Sequence, residues 1–191
     1  MKKLIVLLLT TGLSITTQAA WQLDNANSQL NFVSIKANDV GEVSIFQRLE
    51  GTVSDEGQAT LKVDLTSVNT NVQTRDERMQ EFLFEVEKFP HAELTAQLDM
   101  AKIEALKVGE KLVQPLEAKL ELHGSTKELE SQVVVVRLAE DNLLVISQAP
   151  IILNTADFEL VDGVKKLAEL AKLDLISNAV PVNFMLTFSK K

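Results

Sequence analysis

Cysteine and tyrosine are both absent from the 191 residues; tryptophan occurs once, histidine twice and glycine seven times. Without cysteine there is no disulfide framework, no thiol nucleophile and no thiolate metal site. The two histidines, His91 and His123, do not stand in a metal-ligand spacing such as H-E-x-x-H. His123 falls on the polar face of an alternating run and His91 follows Pro90 at a turn, so both read as solvated side chains. No G-x-S-x-G elbow and no phosphate-cradling glycine loop occurs. Positive charge is scarce as well. Lys and Arg number 19 against 27 Asp and Glu, a formal net charge of −8. A basic surface that could track phosphates is therefore missing, which argues against nucleic acid as a partner. Carboxylates are plentiful, but nothing in their linear order marks a catalytic pair, and a solvated surface accounts for them.

The first residues differ from the rest. MKKLIVLLLTTGLSITTQAA places two lysines before an apolar run, followed by small residues at Thr17 and Ala19. That order is the mark of a secretory signal peptide, with cleavage expected after Ala19 and Ala20 as second choice. The apolar run is shorter than the roughly 20 residues of a membrane span, and no cysteine follows it for lipid attachment. The expected division is a leader at 1–19 and one domain at 20–191, with no integral membrane span after cleavage. Two basic and no acidic residues lie in the leader, so the remainder carries 17 positive against 27 negative charges, a net of −10. A mature chain of about 172 residues supports a sizeable single core without staples. Export without disulfides suits a Gram-negative periplasm.

Period-two alternation dominates the remainder of the chain. Ala59, Leu61, Val63 and Leu65 share a face; so do Ala92, Leu94, Ala96, Leu98 and Met100; so do Leu116, Ala118, Leu120 and Leu122. Val180, Val182, Phe184, Leu186 and Phe188 close the series. Such runs are strands with one apolar and one wet face. Turn residues separate them at Asp55-Glu56-Gly57, at Val108-Gly109-Glu110 and at Glu140-Asp141-Asn142. Eight to ten long strands on short turns predict an all-β, antiparallel barrel of about eight strands or a curved sandwich, because an open sheet of that size leaves exposed edges. Two segments read as short helices, Asp76 to Phe84 and Gly163 to Leu173.

The stretch SVNTNVQTRDERMQEFLFEVEKFP, residues 67–90, fits no strand. It sets Arg75-Asp76 beside Phe82, Phe84, Phe89 and Pro90. Asp76 can serve a helix start and Arg75 can tie that helix to a strand end; alternatively, Arg75 meets an anionic headgroup at a cavity mouth. The phenylalanines either plug a barrel end or form a lip past which a ligand slides.

Ser67, Val68, Thr70, Asn71, Arg75, Asp76, Phe89 and Pro90, with Phe82 or Phe84 between, resemble the S-V-x-T-N…R-D…F-P block of the YceI-like family of secreted lipid-binding proteins. Ser28 to Phe32 is similar to that family's first long strand, and Phe46, Leu49 and Gly51 to its F-x-x-F/L-x-G element. Leu122 to Lys127 is similar to its L-x-G-x-T-K turn, and Ala156 to Leu160 to its D-F-x-I/L segment. The resemblance covers nearly all of residues 21–189. It departs from the family at Lys36, where histidine is common, and at Ser44, where glycine is. It implies a lipocalin-like barrel with an elongated cavity for an apolar isoprenoid chain, polyprenyl or quinone-type, with no other cofactor, no metal and no catalysis. By alternation and family position Phe32, Val63, Leu65, Leu94, Leu98, Val182 and Phe184 are expected to line that cavity, and Phe46, Arg75, Phe82 and Phe84 complete the expected ligand-binding set. The competing expectation is a stress-related interaction module with a filled barrel and no ligand, meeting its partner through its acidic outer face or the helix from Gly163 to Leu173. A homodimer is compatible with either.

Overall fold

The computed structural model describes residues 19–37 and 39–190. The expected leader lies outside the described residues apart from Ala19. Each alternating run forms a strand over most of its length, within a set of β1 (Ala19–Leu23), β2 (Gln29–Lys36), β3 (Val40–Phe46), β4 (Leu49–Ser54), β5 (Gln58–Asp64), β6 (Val68–Asn69), β7 (His91–Gln97), β8 (Lys111–Leu122), β9 (Ser125–Ala139), β10 (Asn142–Ser147), β11 (Ile151–Asn154) and β12 (Ala179–Lys190). Among the described residues three α-helices interrupt them: α1 (Gln73–Arg78), α2 (Met100–Glu104) and α3 (Val161–Ala171).

Several of these strands are halves of longer walls. β1 and β2 both pair with β12, β10 and β11 pair with its other side, and β3 and β4 pair with β2 and β1 in turn. β5 and β6 likewise pair with β4 and β3. Merging the halves leaves eight antiparallel walls in sequence order, with β12 closing onto β1. The fold is therefore an up-and-down, lipocalin-like barrel; closure of β12 onto β1 removes the long edges of its wall, and the short strands β6 and β11 are paired on one side only.

Three of the breaks lie side by side and are stitched together. Asn25, in the turn between β1 and β2, donates to the Gln47 carbonyl at 3.1 Å and accepts from the Leu49 amide at 2.7 Å. The Ser67 hydroxyl, in the turn between β5 and β6, accepts from the Arg48 amide at 3.0 Å and donates to the Asp64 carbonyl at 2.6 Å. Ladder bonds lost at each bend are thus replaced by side chains, as buried backbone requires. Ser67, read in the sequence as part of a family signature, holds the wall at its kink.

The two ends of the barrel differ. At one end, α2 carries buried Met100 and Ile103 into the interior, and Trp21, Val133 and Val135 are fully or almost fully enclosed. The walls make room there: Ala59, Ala96 and Ala118 stand opposite one another on three adjacent strands. The Arg137 guanidinium donates to the carbonyls of Ile103 (3.0 Å) and Glu140 (2.8 Å) and lies 5.8 Å from the Trp21 ring centre. Lys190 approaches the same ring to 5.3 Å. Cations over an indole face add to the packing. This end is a solid floor.

The opposite end carries α1 and α3. α1 continues through a π-helical turn at Met79–Leu83, which packs on α3. The approach is close because Gly163 has no side chain. A Cβ there would stand 2.6 Å from the Phe82 carbonyl oxygen and 2.9 Å from the Leu83 Cα. Among the described residues, no helix is long and apolar enough to cross a membrane.

Candidate functional site

Between floor and helices the barrel is hollow. A cavity of about 400 Å³ occupies the helical half, inside the range of roughly 300–1,000 Å³ usual for small-molecule sites. Its walls come from the inward faces of β2, β3, β5, β7, β8, β9, β11 and β12, and its roof from α1, α3 and the π-helical turn. Leu30, Phe32, Leu61, Val63, Leu94 and Phe184 are typical of the walls. Phe32 and Phe46 lie 5.4 Å apart between ring centres, and Phe46 and Phe84 5.8 Å, an aromatic arc along one side. Such tilted pairs stabilise beyond their buried area.

The exposed or half-buried members of the lining mark the opening: Val72, Thr74, Arg75 and Arg78 on or beside α1, Ala171 and Leu173 at the end of α3, and Lys36 at the end of β2. Glu42 of β3 stands among them and pairs with both Lys36 and Arg75. The hydrogen bond from Lys36 holds the Glu42 carboxyl below its ordinary value of 4.5, against the opposing effect of burial, and the positive charge of Arg75 lowers it further. A lowered folded value makes the carboxylate stabilising above 4.5 and lost as pH falls through the folded value. The difference in Tm between the wild type and Glu42→Gln is therefore expected to be constant above about pH 5.5 and to shrink steadily below 4.5. Thermal melts followed by circular dichroism across that interval check it; a difference that grows on acidification would contradict it.

Of the expected ligand-contacting residues, Phe32, Phe46, Val63, Leu65, Arg75, Phe84, Leu94, Val182 and Phe184 line this cavity. Phe82 and Leu98 do not. Phe82 is half-buried on the outer side of the π-helical turn, beside Gln80, Glu85 and Val86. In that turn consecutive side chains diverge, so Phe84 points inward and Phe82 does not. Leu98 lies past the end of β7, next to α2 at the floor, because the strand ends at Gln97 and Met100 begins the helix. Phe89 serves a third purpose. Its ring lies 4.5 Å from that of His123 and covers Gly124, where a Cβ would come within 3.0 Å of it.

His123 is consequently not the solvated strand residue that alternation suggests; its side chain is 10% exposed. The strand ends at Leu122, and His123 and Gly124, with φ of 53° and 77°, form the two-residue turn into β9. Positive φ at both positions is the twist a tight hairpin requires. Asp76 also departs from the expected helix cap: it accepts from the Thr70 amide (2.8 Å) and hydroxyl (2.6 Å), tying α1 to the end of β6. The sequence reading missed Glu42, Arg78 and the α3 face formed by Val164 and Leu167 as parts of the lining. Lys36 and Ser44, notable in the sequence only as departures from a family pattern, both face the cavity.

An eight-stranded, single-ended barrel enclosing an apolar cavity under a helical roof defines a lipocalin-like binding fold. A family model for the YceI-like domain matches residues 21–188. The chain belongs to the YceI-like family. A polyisoprenoid binding domain from Saccharophagus degradans, described as implicated in plant cell wall breakdown, is 38% identical, with a TM-score of 0.89 over 91% of this chain and 100% of that one. BcnA of Burkholderia cenocepacia is 17% identical, with a TM-score of 0.67 over 86% of this chain and 98% of that one. A Campylobacter jejuni YceI protein is 15% identical, with a TM-score of 0.56 over 78% and 84%. At these lower identities the likeness concerns the fold. No curated protein matches.

Proposed function

We propose that this protein is a secreted, periplasmic lipid-binding protein that holds an isoprenoid-type chain in the helical half of its barrel as a carrier or store, without catalysis. The observation that carries this reading is the cavity: apolar, about 400 Å³, closed below and reached from one end. The similar Saccharophagus degradans domain, described as polyisoprenoid binding, supports it, and the leader-like first residues support export.

The energetics are adequate. Each methylene removed from water contributes roughly 0.8 kcal/mol, so a five-carbon unit contributes about 4 kcal/mol gross. Association costs roughly 4–15 kcal/mol in lost freedom. Two to four such units offset that cost without strong polar contacts. The carboxylate in the lining, Glu42, is held ionised by Lys36 and Arg75, whereas a general acid or base works best with its pKa near the operating pH.

The filled-barrel alternative fares worse. Of the stripe that this alternative needs, Val164 is buried, Leu167 and Leu170 are half-buried and Ala171 is exposed, while Val164, Leu167 and Ala171 line the cavity, so α3 turns most of its apolar face inward. Protein purified from its own host is expected to show, in native mass spectra, an added mass that organic extraction removes and that fragments as an isoprenoid. A bare chain mass, with no shift after incubation with polyprenol, would overturn the reading.

A further inference from the structure

Three separate parts of the chain turn a large apolar side chain out to solvent at the helical end of the barrel. Val40 begins β3, Val72 directly precedes α1, and Leu175 lies between α3 and β12; all three are exposed. The fold sets them around one another. The Ala37 amide donates to the Leu175 carbonyl at 3.1 Å and the Ser177 amide to the Ile35 carbonyl at 2.8 Å, so the chain after α3 lies along the end of β2. Val40 stands opposite Lys36 where β2 turns into β3. The ion pair of Arg75 with Glu42 holds α1, and Val72 at its start, beside β3.

None of the three is packed on the hydrophobic core, so they add nothing to the stability of the barrel. A single exposed apolar side chain is ordinary; three around the mouth of an apolar cavity make a patch of the kind that marks an interaction surface. The lining itself reaches the patch. Val72, Ala171, Leu173 and Ile176 border the cavity, and Leu175 falls between the last two in the chain. Apolar surface therefore passes from the interior over the lip to the outside. Charge does not select the partner, because Asp39 and Asp174 stand next to Val40 and Leu175, and Lys172 offsets only one of them.

We propose that this rim docks on a lipid bilayer, with Val40, Val72 and Leu175 entering the boundary between head groups and acyl chains. This rests on the cavity reading above and adds the surface from which the cavity is loaded. The hydrocarbon of a bilayer continues the chemistry of the cavity across the lip. A tail moving between the two then stays out of water, where each exposed methylene is penalised. Shallow insertion of a few apolar side chains is enough for reversible binding, since its strength scales with the apolar area buried.

The sole native tryptophan, Trp21, is enclosed at the floor, so a second indole reports on its own position. Leu175→Trp is expected to shift its emission to shorter wavelength when phosphatidylcholine vesicles are added, and to be quenched when the same lipid carries brominated chains. Val113→Trp is expected to do neither, since Val113 is exposed on β8 beside Gln114, which meets the start of α2 at the floor. In flotation with the same vesicles, Val40→Glu/Leu175→Glu is expected to lower the bound fraction about tenfold or more. Neither residue lines the cavity, so polyprenol binding by that variant is expected to match the wild type in native mass spectra. Equal responses of the two tryptophan variants, no flotation of the wild type, or flotation indifferent to the two glutamates overturns the proposal. Polyprenol binding by the wild type, measured alongside, shows separately whether the cavity reading stands.

Discussion

Phenylalanine in place of Ala92 is expected to abolish lipid binding and leave the fold intact, whereas the same replacement at Ala96 is expected to unfold the protein more easily. The two alanines sit on one strand, β7, are both inward-facing and are almost equally buried, at 7% and 8% exposure. Ala92 borders the cavity and Ala96 does not. A ring added at Ala92 enters space otherwise left for the ligand. At Ala96 it meets the facing alanines Ala59 and Ala118 and the packed floor. Overpacking typically costs about 1–3 kcal/mol, and about 2–4 °C in Tm accompanies each kcal/mol in a domain of this size. Ala96→Phe is thus expected to lower Tm by about 2–12 °C, while Ala92→Phe changes it by about 2 °C or less in delipidated protein. The checks are thermal melts and the fraction of lipid-bearing molecules in native mass spectra. Similar losses of Tm at both positions would mean that the helical half is as full as the other.

Trp21→Ala is expected to have the largest effect on stability of any single truncation discussed. The indole is fully enclosed, has Arg137 and Lys190 at 5.8 and 5.3 Å from its ring centre, and belongs to the short strand that closes the barrel against both β4 and β12. Truncating a buried aromatic costs about 3–5 kcal/mol, because the surroundings collapse only partly into the void. The expected fall in Tm is about 6–20 °C. Circular dichroism should follow the transition, since the variant has lost its sole tryptophan. A fall of less than about 3 °C would show that the floor does not depend on it.

The part of this architecture that was legible beforehand is the part that alternation encodes. Period two says which side of a strand is apolar. It therefore located the inward faces of β8 and β12 through Leu116–Leu122 and Val180–Phe188, and with short turns it implied closure. It is silent on position along the barrel axis. Whether Leu94 or Leu98 borders empty space depends on where Trp21, Ile103 and Arg137 converge, and these come from β1, α2 and β9. The alternation even ran through the true end of β7, because Met100 keeps the apolar phase while the backbone has already turned into α2. The breaks at residues 24–28 and 65–67 were hidden for a different reason. Asn25 and Ser67 act on neighbouring walls that lie some twenty residues away in the chain. Glu42 escaped notice because its two cations come from β2 and α1.

The solid floor has a kinetic corollary. A vessel stoppered at its base is filled and emptied through the same neck, so an occupying molecule must back out before another goes in. Replacement of one lipid by the next is then paced by the departure of the first, however much of the second is offered. A pipe open at both ends would behave otherwise, since a newcomer could push the resident through.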